Sequence, residues 1–213
     1  MTEQAAPNLH TNILNRIANE LALTYQGVFS AETINRYVFE SYVSLARTAK
    51  IHTHLPILAE RFAKVRLHAL AVAEGKVASP VPQVLFVCVH NAGRSQIASA
   101  LLSHYAGSSV EVRSAGSLPA SEIHPLVLEI LSERGVNISD AFPKPLTDDV
   151  VRASDYVITM GCGDVCPIYP GKHYLDWELA DPSDEGKDKR QEIIEEIDGR
   201  IRELWKSIQL SQN

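Results

Sequence analysis

Cysteine is scarce in this chain, with three among 213 residues. An odd count in a reducing compartment argues against a disulfide framework and for catalysis, redox work or metal binding. Also missing is any apolar run approaching the ~18–20 residues of a membrane helix. The segment Met1 to His10 has neither a basic start nor an apolar core, so no signal peptide is expected and the cytosol is the expected compartment. Positive charge is not in excess: 20 Lys and Arg stand against 26 Asp and Glu, a net charge of −6. That balance argues against a nucleic-acid binder. No internal repeat and no low-complexity tract is present.

What remains is the composition of a folded globular protein, 45% hydrophobic and 22% charged. Charge divides unevenly along it. Residues 1–80 hold 8 basic and 6 acidic residues, a balance of +2; residues 81–213 hold 12 and 20, a balance of −8. Between them runs Gly75-Lys76-Val77-Ala78-Ser79-Pro80-Val81-Pro82, a glycine stop followed by two prolines. It reads as a helix end and a stiff linker, so two domains are expected, 1–80 and 81–213.

The first part predicts three helices. Leu9, Ile13, Ile17 and Leu21 stand four apart on one face. After Gly27, Ser30 is a good N-cap, with Phe29 before it placed to pack on Ile34. Ile34, Val38, Leu45 and Ala49 continue that second helix. Pro56 suits the first turn of a third, along which Leu55, Leu58, Phe62, Val65, Ala69 and Val72 recur three and four apart. Three such helices with short links make a small bundle. His52 and His54 read as a polar interhelical loop, since no further metal ligand is near in sequence.

The second part alternates strand and helix. Val84 to Val89 is a short continuous apolar run, the mark of a buried parallel strand. A helix over 93–106, strands over 110–113, 156–160 and 173–175, helices over 124–134 and 148–153, and a last helix over 186–208 follow. On the last, Ile194, Ile197, Ile201, Leu204 and Ile208 share a face. This order predicts a parallel sheet flanked by helices, with ligands beyond the carboxyl ends of its strands.

The sharpest motif falls at that edge. Cys88 closes the first strand, and Val89-His90-Asn91-Ala92-Gly93 leads into Arg94-Ser95 at a helix start. Five residues curling into a helix N-terminus aim backbone N–H groups at one point, and the helix dipole adds positive charge there. Arg94 adds a fork suited to a tetrahedral oxyanion. Such a setting favours a thiolate at Cys88, and Ser95 can donate to its sulfur, which gives a nucleophile beneath a bound oxyanion. A second motif is Asp181-Pro182. Its carboxyl group, in a loop above the cradle, could protonate a leaving oxygen.

Cys88-x5-Arg94-Ser95 near the start of a parallel α/β domain, with Asp181-Pro182 near its end, resembles the low-molecular-weight tyrosine phosphatase fold over residues 83–208. The resemblance implies a four-stranded parallel sheet of order 2-1-3-4. Within that fold Cys88-Val89-His90-Asn91-Ala92-Gly93-Arg94-Ser95-Gln96, and Ser114-Ala115-Gly116 after the second strand, are more similar to arsenate reductases than to phosphatases. After the third strand comes Gly161-Cys162-Gly163-Asp164-Val165-Cys166-Pro167. Thioredoxin-coupled arsenate reductases of this fold carry two further cysteines there, and tyrosine phosphatases do not need them.

The resemblance implies a relay. Cys88 attacks arsenate while Asp181 protonates the departing hydroxyl; Cys162 attacks Cys88 and arsenite leaves; Cys166 attacks Cys162; thioredoxin resets the resulting disulfide. No resident cofactor is implied. Some members hold a potassium ion near the loop asparagine with a glutamate ligand; Asn91 matches that asparagine, but Ser99 stands at the glutamate's position, so no metal is expected. The spacer between Cys162 and Cys166 is shorter than in better-known members. Asp181-Pro182-Ser183-Asp184 lacks the tyrosines that pack an aromatic phosphoester. The N-terminal helices resemble an extension of some actinobacterial relatives. A homodimer through them stays open, as do a phosphomonoesterase built on Cys88, Arg94 and Asp181, a reductase served by a small thiol such as mycothiol, a zinc half-site at Cys162 and Cys166, and an oxyanion- or oxidant-sensing module.

Overall fold

A computed structural model describes residues 5–161, 166–182 and 185–212. Contacts divide the chain into two compact units, Met1–Ala78 and Ser79–Asn213. No helix among the described residues is long and apolar enough to cross a membrane.

The first unit is three helices, α1 (Ala5–Thr24), α2 (Ala31–Ala46) and α3 (Leu55–Ala73). Ser30 caps α2, its hydroxyl accepting the Thr33 N–H at 3.2 Å. Pro56 sits in the first turn of α3, where the missing N–H costs nothing. The buried stripe of α1 is Leu14, Ile17, Ala18 and Leu21, whereas Leu9 is 60% exposed. The four-apart reading of α1 therefore holds at Ile17 and Leu21 and fails at Leu9. Four residues turn a helix through about 400°, so such a row drifts around it, while spacings of three, four and seven stay on one face. Ala49 lies beyond the end of α2. Helix α3 is buried on more than one face, with Leu55, Ala59, Phe62, Ala63, Leu67, Leu70 and Ala71 all in the core.

That core also takes in Arg66, a charged residue outside the apolar stripe read from the sequence. Its guanidinium lies 4.4 Å from the centre of the Tyr37 ring and donates to Ser41 Oγ at 3.2 Å and Glu40 Oε2 at 3.1 Å. Stacking on an aromatic face together with charge-assisted bonds offsets the cost of burying the cation.

The second unit holds four parallel strands in the order β2-β1-β3-β4: β1 (Gln83–Cys88), β2 (Glu111–Gly116), β3 (Tyr156–Met160) and β4 (His173–Asp176). This is the four-stranded parallel sheet flanked by helices that the sequence predicts. Helix α4 (Arg94–Ala106) follows β1; α5 (Pro125–Glu133) and α6 (Asp148–Ala153) lie between β2 and β3; α7 (Lys187–Ser211) closes the chain. Strand β1 is buried along its whole length because it is central, which is why it reads as unbroken apolar sequence. Alternation then sorts its side chains. Val84, Phe86 and Cys88 join Ile158, Met160 and residues of α4, α5 and α7 in one core. All five isoleucines and leucines read onto the inner face of α7 are buried there. Leu85, Val87 and Val157 point the other way and are equally buried. Strand β2 runs three residues past its predicted end and carries Gly116 to the level of Cys88. Lys172 Nζ, whose ammonium is held below its usual range by burial, closes the end of α6 on the carbonyls of Arg152 and Ser154 at 2.6 and 2.7 Å.

Candidate active site

Cys88 sits at the carboxyl end of β1, almost fully buried, and α4 begins six residues later. The five residues between them form a tight loop whose carbonyl groups are all bonded away from its centre. The Cys88, Val89, His90 and Ala92 carbonyls accept the N–H groups of Ser117, Leu118, Ala120 and His124 at 2.9–3.2 Å. The Asn91 carbonyl accepts from Gln96 Nε2 at 3.0 Å. Every peptide bond of the loop is trans, so each N–H points opposite to the carbonyl of its own peptide and the loop amides turn inward. Consistent with that direction, the Asn91 N–H donates to Cys88 Sγ at 3.2 Å. Ser95 Oγ lies 2.9 Å from the same sulfur.

Asn91 organises this curl. It is the one non-glycine residue with positive φ among the described residues, at 47°, a conformation asparagine tolerates better than most residues. Its side chain donates to Ser95 Oγ at 2.8 Å and accepts from Gln96 Nε2 at 3.1 Å and from the Lys144 N–H at 2.8 Å. Gln96 Nε2 also reaches the Phe142 carbonyl at 3.1 Å. Ser99 Oγ donates to the Gln96 carbonyl at 3.1 Å. Gly116 permits the close approach of β2: a Cβ there would fall 2.7 Å from the Val89 carbonyl oxygen and 2.9 Å from Asn91 N.

Arg94, at the first position of α4, spans to the far side. One guanidinium nitrogen donates to Asp181 Oδ2 and the other to the Leu179 carbonyl, each at 2.9 Å. Its Nε is buried without a hydrogen-bond partner among the described residues. A buried orphan donor is costly, so this one marks a place where an acceptor belongs. Gly161, with φ of 68° just after β3, leaves room for the guanidinium, which a Cβ would meet at 3.0 Å. Asp181 and Pro182 in turn lie over the loop, 3.7 Å from where a Cβ on Gly93 would stand.

Cys88, Val89, His90, Asn91, Ala92, Gly93, Arg94, Ser95 and Asp181 thus share one site, with His90 turned out to solvent. Cys166 is half-buried in the segment after β3; Cys162 falls outside the described residues. Sequence reasoning gave no structural role to Gln96, Gly116, the Lys144 N–H or the Leu179 carbonyl. The arrangement gathers a cysteine sulfur, loop amides, an arginine and a carboxyl group about one point, the set of groups that displacement at a tetrahedral oxyanion calls for.

Comparison with known proteins agrees with this geometry. Residues 83–213 match the family described as low molecular weight phosphotyrosine protein phosphatase, and residues 14–71 match the protein-tyrosine-phosphatase-like N-terminal domain. The chain belongs to the low molecular weight phosphotyrosine protein phosphatase family. Within this family the chain is 94% identical to a thioredoxin-dependent arsenate reductase of Corynebacterium glutamicum, over 95% of this chain and 99% of that one, with a TM-score of 0.89. It is 33% identical to the arsenate reductase of Shouchella clausii, over 57% of this chain and 93% of that protein. A protein of different activity, the arginine phosphatase of Geobacillus stearothermophilus, is 26% identical with a TM-score of 0.56, over 62% of this chain and 95% of that one.

Proposed function

We propose that this protein reduces arsenate to arsenite with Cys88 as nucleophile and draws its electrons from thioredoxin. The observation that carries the reading is the 94% identity, across nearly the whole chain, to a thioredoxin-dependent arsenate reductase.

Arsenate is a tetrahedral oxyanion, and the loop amides with Arg94 match its shape and charge. As it enters, it competes with the Asp181 carboxylate for the Arg94 fork. Two anions at one guanidinium favour protonation of one, which equips Asp181 to donate. Cys88 Sγ attacks arsenic, and a hydroxyl group leaves as water with the Asp181 proton. Ser95 Oγ and the Asn91 N–H, at 2.9 and 3.2 Å, stabilise the sulfur before attack. Cys162 then attacks Cys88 Sγ. The sulfur–arsenic bond breaks with its electron pair going to arsenic, so pentavalent arsenic leaves trivalent and the two thiols become one disulfide. Cys166 attacks Cys162, frees Cys88 and leaves a Cys162–Cys166 disulfide. The thioredoxin dithiol reduces that bond and becomes a disulfide itself.

The test is NADPH consumption with arsenate, thioredoxin and thioredoxin reductase, beside Cys88→Ser and Cys166→Ser. Sustained turnover in the wild type that is lost in both variants is expected. Turnover that survives Cys166→Ser would remove the last step of the relay. The family's phosphatases suggest a second reading, phosphomonoester hydrolysis by Cys88, Arg94 and Asp181. It requires phosphate release from aryl phosphates that Cys162→Ser leaves unchanged.

A further inference from the structure

The segment that follows Cys166 has a construction the relay does not explain. Among the described residues, Ile168 is the most exposed of the large apolar side chains, at 83%. A single exposed isoleucine is unremarkable on a slack loop, but this backbone is fixed on both sides of it. The Tyr174 hydroxyl, projecting from β4, accepts the Tyr169 N–H at 2.9 Å and donates to the Pro167 carbonyl at 3.1 Å. The Tyr169 hydroxyl bonds Asp148 at the start of α6. Proline occupies positions 167 and 170, which further narrows the backbone's freedom. Three anchors and two prolines therefore hold Ile168 out to solvent.

Its place in the sequence says what would cover it. Two residues span at most about 7 Å, so Ile168 lies within that distance of Cys166 along the chain. A protein whose cysteine exchanges with a disulfide at Cys166 must lay its surface over this point. Even a small redox encounter covers several hundred Å² on each partner, a patch about 25 Å across. A rigidly displayed apolar side chain inside such a footprint binds at little conformational cost.

We propose that Ile168, held out by the Tyr174 hydroxyl, is the anchor on which thioredoxin docks to reduce the Cys162–Cys166 disulfide. This rests on the reading of the chain as a thioredoxin-dependent reductase. The reaction is an exchange: a thioredoxin thiolate attacks the disulfide, its second thiol resolves the mixed disulfide, and two electrons and two protons pass to Cys162 and Cys166. Ile168 takes no part in the bond changes and acts only on encounter and residence.

Steady-state kinetics with purified thioredoxin as the varied substrate test this, using the full chain and Ile168→Asp, Ile168→Leu and Tyr174→Phe. Ile168→Asp should raise the KM for thioredoxin about tenfold, with the KM for arsenate and the kcat at saturating thioredoxin within twofold of wild type. Ile168→Leu should restore the wild-type KM, and Tyr174→Phe should raise it less than the aspartate does. An unchanged thioredoxin KM in Ile168→Asp overturns the anchor and leaves the reductase reading standing. A parallel loss of kcat and of arsenate affinity overturns it too, as a structural defect. Absence of thioredoxin-driven turnover in the wild type itself overturns both.

Discussion

Among the described side chains around Cys88, one buried polar atom, Arg94 Nε, has no hydrogen-bond partner, and it points to the substrate. Asn91 and Gln96 consume one another's hydrogen-bonding capacity and that of the 142–144 segment, so the loop keeps its curl with no ligand in it. Arg94 is satisfied at both terminal nitrogens by Asp181 and Leu179, yet its Nε is left over. Lysine cannot reproduce a planar fork that reaches three acceptors. Arg94→Lys is therefore expected to cost about a hundredfold in kcat/KM for arsenate, near 2.7 kcal/mol, as read by the coupled assay. Asn91→Ala removes the donor to Ser95 and the acceptor for Gln96 and Lys144, and puts a less tolerant residue at φ 47°. Denaturant unfolding should show a loss of about 1–3 kcal/mol, and turnover should fall further because the Ser95 contact to sulfur is disturbed.

At the level of elements, the site is where β1, β2, α4 and the Asp181 turn meet. Strand β2 can reach the level of Cys88 only because its last residue is glycine. Gly116→Ala would push a Cβ against the backbone of Val89 and Asn91, neither of which can yield without shifting the loop. The variant should fold with a loss of about 1–3 kcal/mol, and its arsenate KM should rise more than that destabilisation explains. A wild-type KM in Gly116→Ala would show that the loop adjusts freely. The same junction separates what sequence makes legible from what it does not. The Val84–Val89 run, the Ser30 cap, Pro56 in a first turn and the face of α7 are local patterns with a period or a position, and each appears in the structure. Asn91 and Gly116 carried local signals too, a residue type suited to positive φ and a small residue at a strand end. The Gln96 bond to Phe142, the Lys144 N–H on Asn91, and Arg94 on Leu179 join residues far apart in the chain, and nothing in their neighbours announces the pairing. Arg66 was hidden for a related reason: a charged residue in a periodic helix reads as surface unless its stack on Tyr37 is known.

Across the whole molecule, two compact units divide the chain near Ala78. One is a helical bundle built on Leu14, Ile34, Phe62 and Leu67; the other is the α/β sheet with a core from Val84 to Ile208. Separate cores imply separately measurable stabilities. Phe62→Ala should lower the helical unit by about 3–5 kcal/mol. In calorimetry this should appear as a transition moved to lower temperature, with the transition of the α/β unit held in place. A single transition moved as a whole would show that the two units unfold as one. The helical unit bears few charges of net excess while residues 81–213 carry a balance of −8, so the acidic character of the protein belongs to the part that holds the site. An acidic surface around an oxyanion site does not concentrate arsenate by long-range steering. Capture falls to the inward amides and Arg94 at short range.

The central claim is the passage of two electrons from Cys88 through Cys162 to Cys166. A single turnover without thioredoxin tests it most directly: reduced protein is mixed with excess arsenate, quenched by alkylation, and its disulfides are mapped by mass spectrometry beside Cys166→Ser. The account predicts one arsenite per chain, a Cys162–Cys166 bond with Cys88 alkylated in the wild type, and a trapped Cys88–Cys162 bond in Cys166→Ser. Arsenite released with all three cysteines still alkylated, or a disulfide that bypasses Cys162, would contradict it.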